Sequence, residues 1–431
     1  MRFNTLSEWL RWQESMHPNA IDLGLERVQR VLAAMGLEQP PYRVLTVGGT
    51  NGKGSCVAFL DAMLRAQGYA VGAYTSPHLL RYNERVCIQG LEVSDAELVE
   101  AFASVEAARG TVSLTYFEFG TLAAFEIFRR RGVEVAVLEV GMGGRLDAVN
   151  VLQPEGALVA SVALDHQEWL GYDRDSIGFE KAGIYRAGRP AICGDRDPPT
   201  RLLDTTRRLG AELQVLGRDY DWQAAGMYWD WHGRGSHIQQ LPCPAMPGDR
   251  QVDNAASCIA LLQMLCASLP VEAAAIRQGL RSARIHARFE LWQGDVSWIL
   301  DVAHNPAAAA VLAANLKANP ARGRTLAVVG MLRDKAVEEV VRLLAPQLDS
   351  WYVAGLEGAR GQTAAELAGR IQAALPAARL TACGDVTAAC HAARSAARSG
   401  DRILVFGSFL TVGAVLRSAC RNPVAITTES G

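Results

Sequence analysis

The chain has 431 residues, a formal net charge of −2, 49% hydrophobic residues and 20% charged residues. That length exceeds one ordinary core and predicts two domains, and the hydrophobic content excludes a disordered chain. No basic block occurs, which argues against nucleic acid as the main partner, and the nine scattered cysteines, an odd number with no C-x-x-C pair, predict reduced thiols rather than a disulfide framework or a zinc site.

Met1-Arg2-Phe3-Asn4-Thr5 leads directly into an amphipathic helix pattern and does not read as a signal peptide. A strand at Tyr42–Val47 runs into Gly48-Gly49-Thr50-Asn51-Gly52-Lys53-Gly54-Ser55, and a helix pattern follows from Cys56. Strand, glycine loop, Lys, Ser, helix is the arrangement that cradles phosphate. Glycines let backbone N–H groups turn toward an anion, the helix N-terminus adds partial positive charge, and Lys53 adds a full one. The register is unusual, because Gly54 separates Lys53 from Ser55.

A short strand, Val71–Tyr74, precedes Ser76-Pro77-His78, and a helix pattern covers Thr121–Arg130. The apolar run Val133–Val140 carries Glu139 at its end, beside Gly141-Met142-Gly143-Gly144, where phosphate-loop enzymes keep a metal-binding acid. Ala157–Ala163 reads as a strand leading to Asp165-His166, which would set Glu139 and His166 on adjacent strands. Asp219–Pro247, with Trp222, Tyr228, Trp229 and Trp231, reads as hairpins whose aromatics form a local core rather than a base-stacking platform. Helix patterns follow at Asn254–Ser268 and Glu272–Leu280. The apolar stretch from Ala255 to Leu269 is interrupted by polar residues and reads as a buried helix, not a membrane span.

A domain boundary is predicted near 282–290, dividing residues 1–286 from 287–431. A second β–α series then follows, with strands at Ser297–Asp301, Thr325–Val329 and Arg402–Phe406 and helices at Ala307–Lys317 and Lys335–Leu344. Continuous apolar strands alternating with helices predict α/β domains with mostly parallel sheets and ligands at the strands' carboxyl ends.

Six ordered motifs carry a resemblance: the Gly49–Ser55 loop, Thr75-Ser76-Pro77-His78-Leu79, Leu138–Asp147, Leu164-Asp165-His166, Glu180-Lys181-Ala182-Gly183-Ile184 and Asp301-Val302-Ala303-His304-Asn305-Pro306, followed by Gly407-Ser408-Phe409. The chain resembles the bacterial dihydrofolate synthase/folylpolyglutamate synthase family of the ATP-dependent Mur ligase group over nearly its whole length. The resemblance implies an N-terminal P-loop ATPase-type domain and a smaller, Rossmann-like C-terminal α/β domain. It implies a reaction in which ATP phosphorylates a carboxylate of dihydropteroate or a reduced folate and the amine of L-glutamate displaces phosphate.

Residue by residue, the resemblance assigns Thr50, Asn51, Gly52, Lys53, Gly54, Ser55, Asn254, Arg288, Asp301 and His304 to ATP, which would sit between domains that close on it. It assigns Asp22, Leu23, Gly24, Leu25, Thr115, Tyr116, Phe117, Glu118, Leu146, Asp147 and Ala148 to the pterin. Ser76 and Glu139 match a first Mg²⁺ site, and His166 with a carbamylated Lys181 a second; K⁺ is a further cation of the set. Lys53, Glu139, His166 and Lys181 are the catalytic set, in a cytoplasmic, monomeric enzyme with no membrane partner. Two departures stand out: Val149 where the family usually has Thr, and His286-Ala287 where it usually has Pro-Gly. A folylpolyglutamate synthase without the first activity, another Mur-type amino-acid ligase, and a nucleotide-binding switch that ligates nothing are the alternatives.

Overall fold

The computed structural model describes residues 2–19 and 21–421, the side chains of 419–421 excepted, so Met1 and the Cys420 thiol lie outside the described residues. The chain divides into two compact units. One comprises the chain up to Ala245 together with Asp249–Arg284; the other is Met246–Gly248 with the chain from Ile285.

The first unit is built on eight strands: β1 (Arg43–Gly48), β2 (Val71–Tyr74), β3 (Val86–Ile88), β4 (Leu91–Glu92), β5 (Val135–Glu139), β6 (Gly156–Val159), β7 (Pro190–Cys193) and β8 (Glu212–Val215). Their order is β4-β3-β2-β5-β1-β6-β7-β8, parallel from β2 to β8, with β3 and β4 antiparallel at one edge. The central strands are buried along their length except for Arg43 at the start of β1, as their apolar runs require of a sheet covered on both faces. One face packs under Trp9, Phe102, Phe119, Phe125 and Phe128 toward one edge and Ile177, Ile184, Tyr185 and Leu202 toward the other; the opposite face is covered by the helices Lys53–Gln67 and Asp249–Met264.

Three further strands, β9 (Tyr220–Ala225), β10 (Tyr228–Gly233) and β11 (Ser236–Pro242), form an antiparallel sheet in the same unit. Trp229 and Trp231 are buried there, and Trp231 Nε1 donates to Ala256 O at 3.1 Å. These two aromatics are core, while Tyr228 is exposed.

The second unit holds β12 (Glu290–Trp292), β13 (Ser297–Leu300), β14 (Thr325–Val329), β15 (Ser350–Ala354), β16 (Leu380–Cys383) and β17 (Arg402–Phe406). The order is β12-β13-β17-β14-β15-β16, parallel except for β12. Among the described residues no helix is long and apolar enough to cross a membrane, and eight cysteines are free thiols.

One strand ends earlier than the sequence pattern implies. β6 stops at Val159: Ala160 N still donates to Gly48 O at the end of β1, but the backbone groups beyond it turn to the glycine loop and to Asp195. Thr50 N donates to Ser161 O at 2.8 Å, and Ala163 N donates to Thr50 Oγ1 at 3.0 Å. His166 therefore does not end a strand; it caps the short helix Gln167–Leu170 with φ 50°. Nor are the strands of Glu139 and His166 adjacent, since β1 lies between β5 and β6.

Candidate active site

Register brings the first constellation together. Val47 is paired with Glu139, Gly48 with Val159, and Tyr74 with Leu138, so β2, β5, β1 and β6 end along one edge. That carboxyl edge is where parallel α/β sheets bind ligands.

The loop after β1 is a cradle crowded at its glycines. Gly49 has φ 141° and Gly52 φ 88°, and a Cβ on Gly49 would stand 3.1 Å from Ala160 N. Gly52 caps the helix Lys53–Gln67, whose first residue is Lys53. The Lys53 ammonium curls back to Gly49 O at 3.2 Å and Thr50 O at 3.4 Å. Gly54 and Ser55 are buried in the first helical turn. Thr50 Oγ1 donates to Ala163 O at 3.1 Å, and Asn51 N donates to Ser161 Oγ at 3.1 Å. Asn254 stands against the loop at Gly52. This loop fits a nucleotide's phosphates: left-handed glycines, a helix N-terminus and a lysine converge on it.

Glu139 is buried, and its Oε2 accepts from Ser76 N at 3.2 Å, so Ser76 and Glu139 meet across neighbouring strands. The Ser76 loop is itself held by Glu84, whose carboxylate accepts from the amides of Leu79, Leu80 and Arg81 at 2.7, 2.6 and 2.7 Å. His166 is half-buried, and its amide donates to Asp165 Oδ1 at 2.9 Å. Among the described residues no three His, Cys, Asp or Glu side chains form a metal cluster. Hydroxyl and carboxylate donors of the kind Ser76 and Glu139 supply still suit Mg²⁺, which binds through one or two carboxylates, substrate phosphates and water.

Lys181, in the helix Arg174–Ala182, is buried. Burial lowers its pKa to about 7; the Lys53 charge acts in the same direction, and Asp165 and Asp147 oppose it. A large fraction of such an amine is neutral near neutral pH.

Two of the segments that the family resemblance assigns to the pterin are joined by a residue the sequence motifs do not include. The Arg27 guanidinium donates to Asp22 Oδ2 at 2.9 Å, to Asp22 O at 2.6 Å and to Glu118 Oε1 at 2.9 Å. Leu23, Gly24 and Leu25 form the half-buried lead into the helix Glu26–Ala34. Thr115 and Glu118 form a capping box on the helix Tyr116–Arg130, which fixes that helix's first turn. Tyr116 and Phe117 are partly buried there. The Phe117 ring packs against Gly141, where a Cβ would come within 2.7 Å of it.

Asp147 is buried between Leu146 and Ala148, and its oxygens accept from Met142 N and Val149 N, each at 3.0 Å. Burial raises its pKa to about 6 against those amides and the Lys53 charge. The Val149 side chain belongs to the core.

In the second unit Arg288, Asp301 and His304 come together beyond the carboxyl end of β13. Asp301 accepts from Phe289 N at 2.9 Å and Ala303 N at 2.8 Å. Arg288 lies 5.4 Å from the Phe409 ring centroid, and the His304 ring 6.4 Å from it. Ala287 is fully buried with φ 60°, so the backbone before Arg288 keeps a glycine-like conformation without glycine.

Sequence reasoning also passed over Ser161 and Glu84. A lone serine and a lone glutamate carry no spacing signal; their roles arise from strand order and a loop's amides.

A glycine phosphate loop on a parallel sheet, followed by a second α/β unit, is the plan of a Mur-type ligase, and residues 287–409 match the family model described as Mur ligase, glutamate ligase domain. The chain is 43% identical over 411 residues to the dihydrofolate synthase/folylpolyglutamate synthase of Escherichia coli K12, covering 95% of this chain and 94% of that protein. It is also similar to the solved E. coli FolC in complex with DHPP and ADP, with TM-score 0.92, 42% identity and coverage of 97% and 99%. A bifunctional folylpolyglutamate synthase/dihydrofolate synthase solved with Mn, AMPPNP and L-glutamate gives TM-score 0.89, 43% identity and coverage of 97% and 98%. The chain belongs to the dihydrofolate synthase/folylpolyglutamate synthase family.

Proposed function

We propose that the chain is an ATP-dependent ligase that joins L-glutamate to dihydropteroate, forming dihydrofolate, and to reduced folates, forming polyglutamates. The observation that carries the reading is the left-handed glycine loop with Lys53 above it, in the same unit as the Arg27-linked segments and buried Lys181. The ligands of its relatives, DHPP with ADP in one and AMPPNP, Mn and L-glutamate in another, support it.

The chemistry has two displacements. A substrate carboxylate oxygen attacks the γ-phosphorus, the bond to ADP breaks, and an acyl phosphate forms. The neutral amine of glutamate attacks the acyl carbon; the tetrahedral adduct expels phosphate and loses a proton, leaving an amide. Phosphoryl transfer of this kind is chiefly a matter of charge and alignment. Lys53 and the amides of Thr50–Ser55 neutralise phosphate oxygens, and Asn254, Arg288, Asp301 and His304 are assigned to the nucleotide. Asp22–Leu25, Thr115–Glu118 and Leu146–Ala148 are assigned to the pterin, with Phe117 as the flat surface it stacks on. Divalent metal, held by Ser76 and Glu139 and by His166 with Lys181, would neutralise and align the phosphates.

Lys181 is assigned a carbamate. Its neutral amine adds to carbon dioxide and releases a proton, which converts a base that repels cations into an oxygen anion that binds them. The protein acts as a cytoplasmic monomer. ADP release tests the reading: it is expected to require glutamate together with dihydropteroate or a reduced folate. Release with reduced folate only would make the chain a folylpolyglutamate synthase alone, and release with neither would make it a nucleotide switch.

A further inference from the structure

At the amino edge of the second unit's sheet lies a cavity of about 210 Å³ whose lining includes Leu316, Ala321, Thr325, Asp349 and Arg402. Thr325 and Arg402 open β14 and β17 and are register partners, so the cavity faces away from the carboxyl edge that carries Asp301 and His304.

Arg402 is 5% exposed and charged, and the protein supplies acceptors to only part of it. Nη1 donates to Asn319 O and Nη2 to Thr325 Oγ1 at 3.0 Å, which leaves a further N–H on each; Nε, shut off from the surface, finds no partner among the described residues. A guanidinium has five N–H donors. Among the described residues no carboxylate pairs with it. Its neighbour Asp401 is taken by Arg324, at 2.7 Å, and by the amides of Arg324 and Arg398 at 2.7 and 2.9 Å. Asp349, exposed at the rim, accepts from Thr325 N at 2.8 Å. Burial alone acts on the proton affinity of Arg402, with no acid to offset it. A buried, unneutralised charge is costly, and an anion that accepts from it recovers much of that cost.

We propose that this cavity is a binding site for a small oxyanion, held by the Arg402 guanidinium and separate from the ligase site. Its volume is below the roughly 300–1,000 Å³ of pockets for drug-sized ligands, which favours a small ion over a nucleotide or a folate. One guanidinium opposite one rim carboxylate limits the ligand to low charge. Inorganic phosphate and a short carboxylate share that chemistry.

Calorimetric titration of the full chain at constant ionic strength tests the site, with Lys53→Ala in the background to silence the phosphate loop. Inorganic phosphate and acetate are titrated separately. At least one is expected to bind saturably, one per chain. Binding is expected to weaken more than about tenfold in Arg402→Met, and equally in Ala321→Leu, which narrows the cavity and leaves Arg402 in place. Which anion binds identifies the ligand. Absence of saturable binding by both anions, or binding that Ala321→Leu leaves unchanged, overturns the proposal; the second variant decides the matter even if Arg402→Met does not fold.

Discussion

Asn254 crowds the Cα of Gly52: a Cβ there would stand 2.7 Å from Asn254 Oδ1. Gly52 also has φ 88°, which costs a non-glycine residue roughly 1–2 kcal/mol. Two separate constraints thus hold the loop open for phosphate. Gly52→Ala is expected to fold and to lose about 10²-fold in kcat/KM for ATP, the scale of a 1 Å misplacement. Steady-state kinetics beside a circular dichroism spectrum check this; an unchanged kcat/KM would remove the loop from the reaction.

Arg27 ties Asp22 to Glu118 from a helix that carries no motif. Arg27→Met keeps the stem and removes the fork, leaving a buried Glu118 short of a partner at a cost of about 1–3 kcal/mol. Use of dihydropteroate is expected to fall about tenfold or more in kcat/KM, with KM for ATP unchanged. Equal losses toward both substrates would reduce Arg27 to general stability.

The phosphate loop, Glu139 and the two α/β series were visible in the sequence because glycine, lysine and strand-end acids each have a local signature. Arg27, Ser161 and Glu84 were not, since each acts on a segment that only strand order or a loop brings near. His166 was misplaced onto a strand for a related reason. The apolar run through Ala163 looks like a strand, but the backbone groups of Ser161 and Ala163 are claimed by Thr50, and that of Val162 by Asp195.

The Ala287 backbone gives a test of the departure from Pro-Gly. An alanine at φ 60° is strained, and the strain exceeds the entropy that glycine adds to the unfolded chain. Ala287→Gly is expected to raise stability by about 0.5–1 kcal/mol, measured by urea unfolding. A destabilised variant would show that the buried methyl outweighs the strain.

Lys181 makes stability and activity depend on pH in a set direction. Its folded pKa is lowered to about 7 from 10.5. Between those values the unfolded chain holds a proton that the folded chain does not, so stability from this site rises with pH by up to about 1.4 kcal/mol per unit. It is lowest below about 7, where the ammonium must be buried charged. Without bicarbonate, the stability of wild type relative to Lys181→Met is expected to climb from pH 6 to pH 9; a flat difference would contradict the lowered pKa. Added bicarbonate is expected to raise activity in wild type only.

Ligation through a phosphorylated carboxylate leaves its mark in where the carboxylate oxygens go. Dihydropteroate with both carboxylate oxygens labelled with ¹⁸O is incubated with the protein, ATP, Mg²⁺ and L-glutamate, and the products are weighed by mass spectrometry. One labelled oxygen is expected in the inorganic phosphate and one in the new amide for each dihydrofolate formed. Dihydrofolate formed with unlabelled phosphate, or ATP consumed with no dihydrofolate, would contradict it.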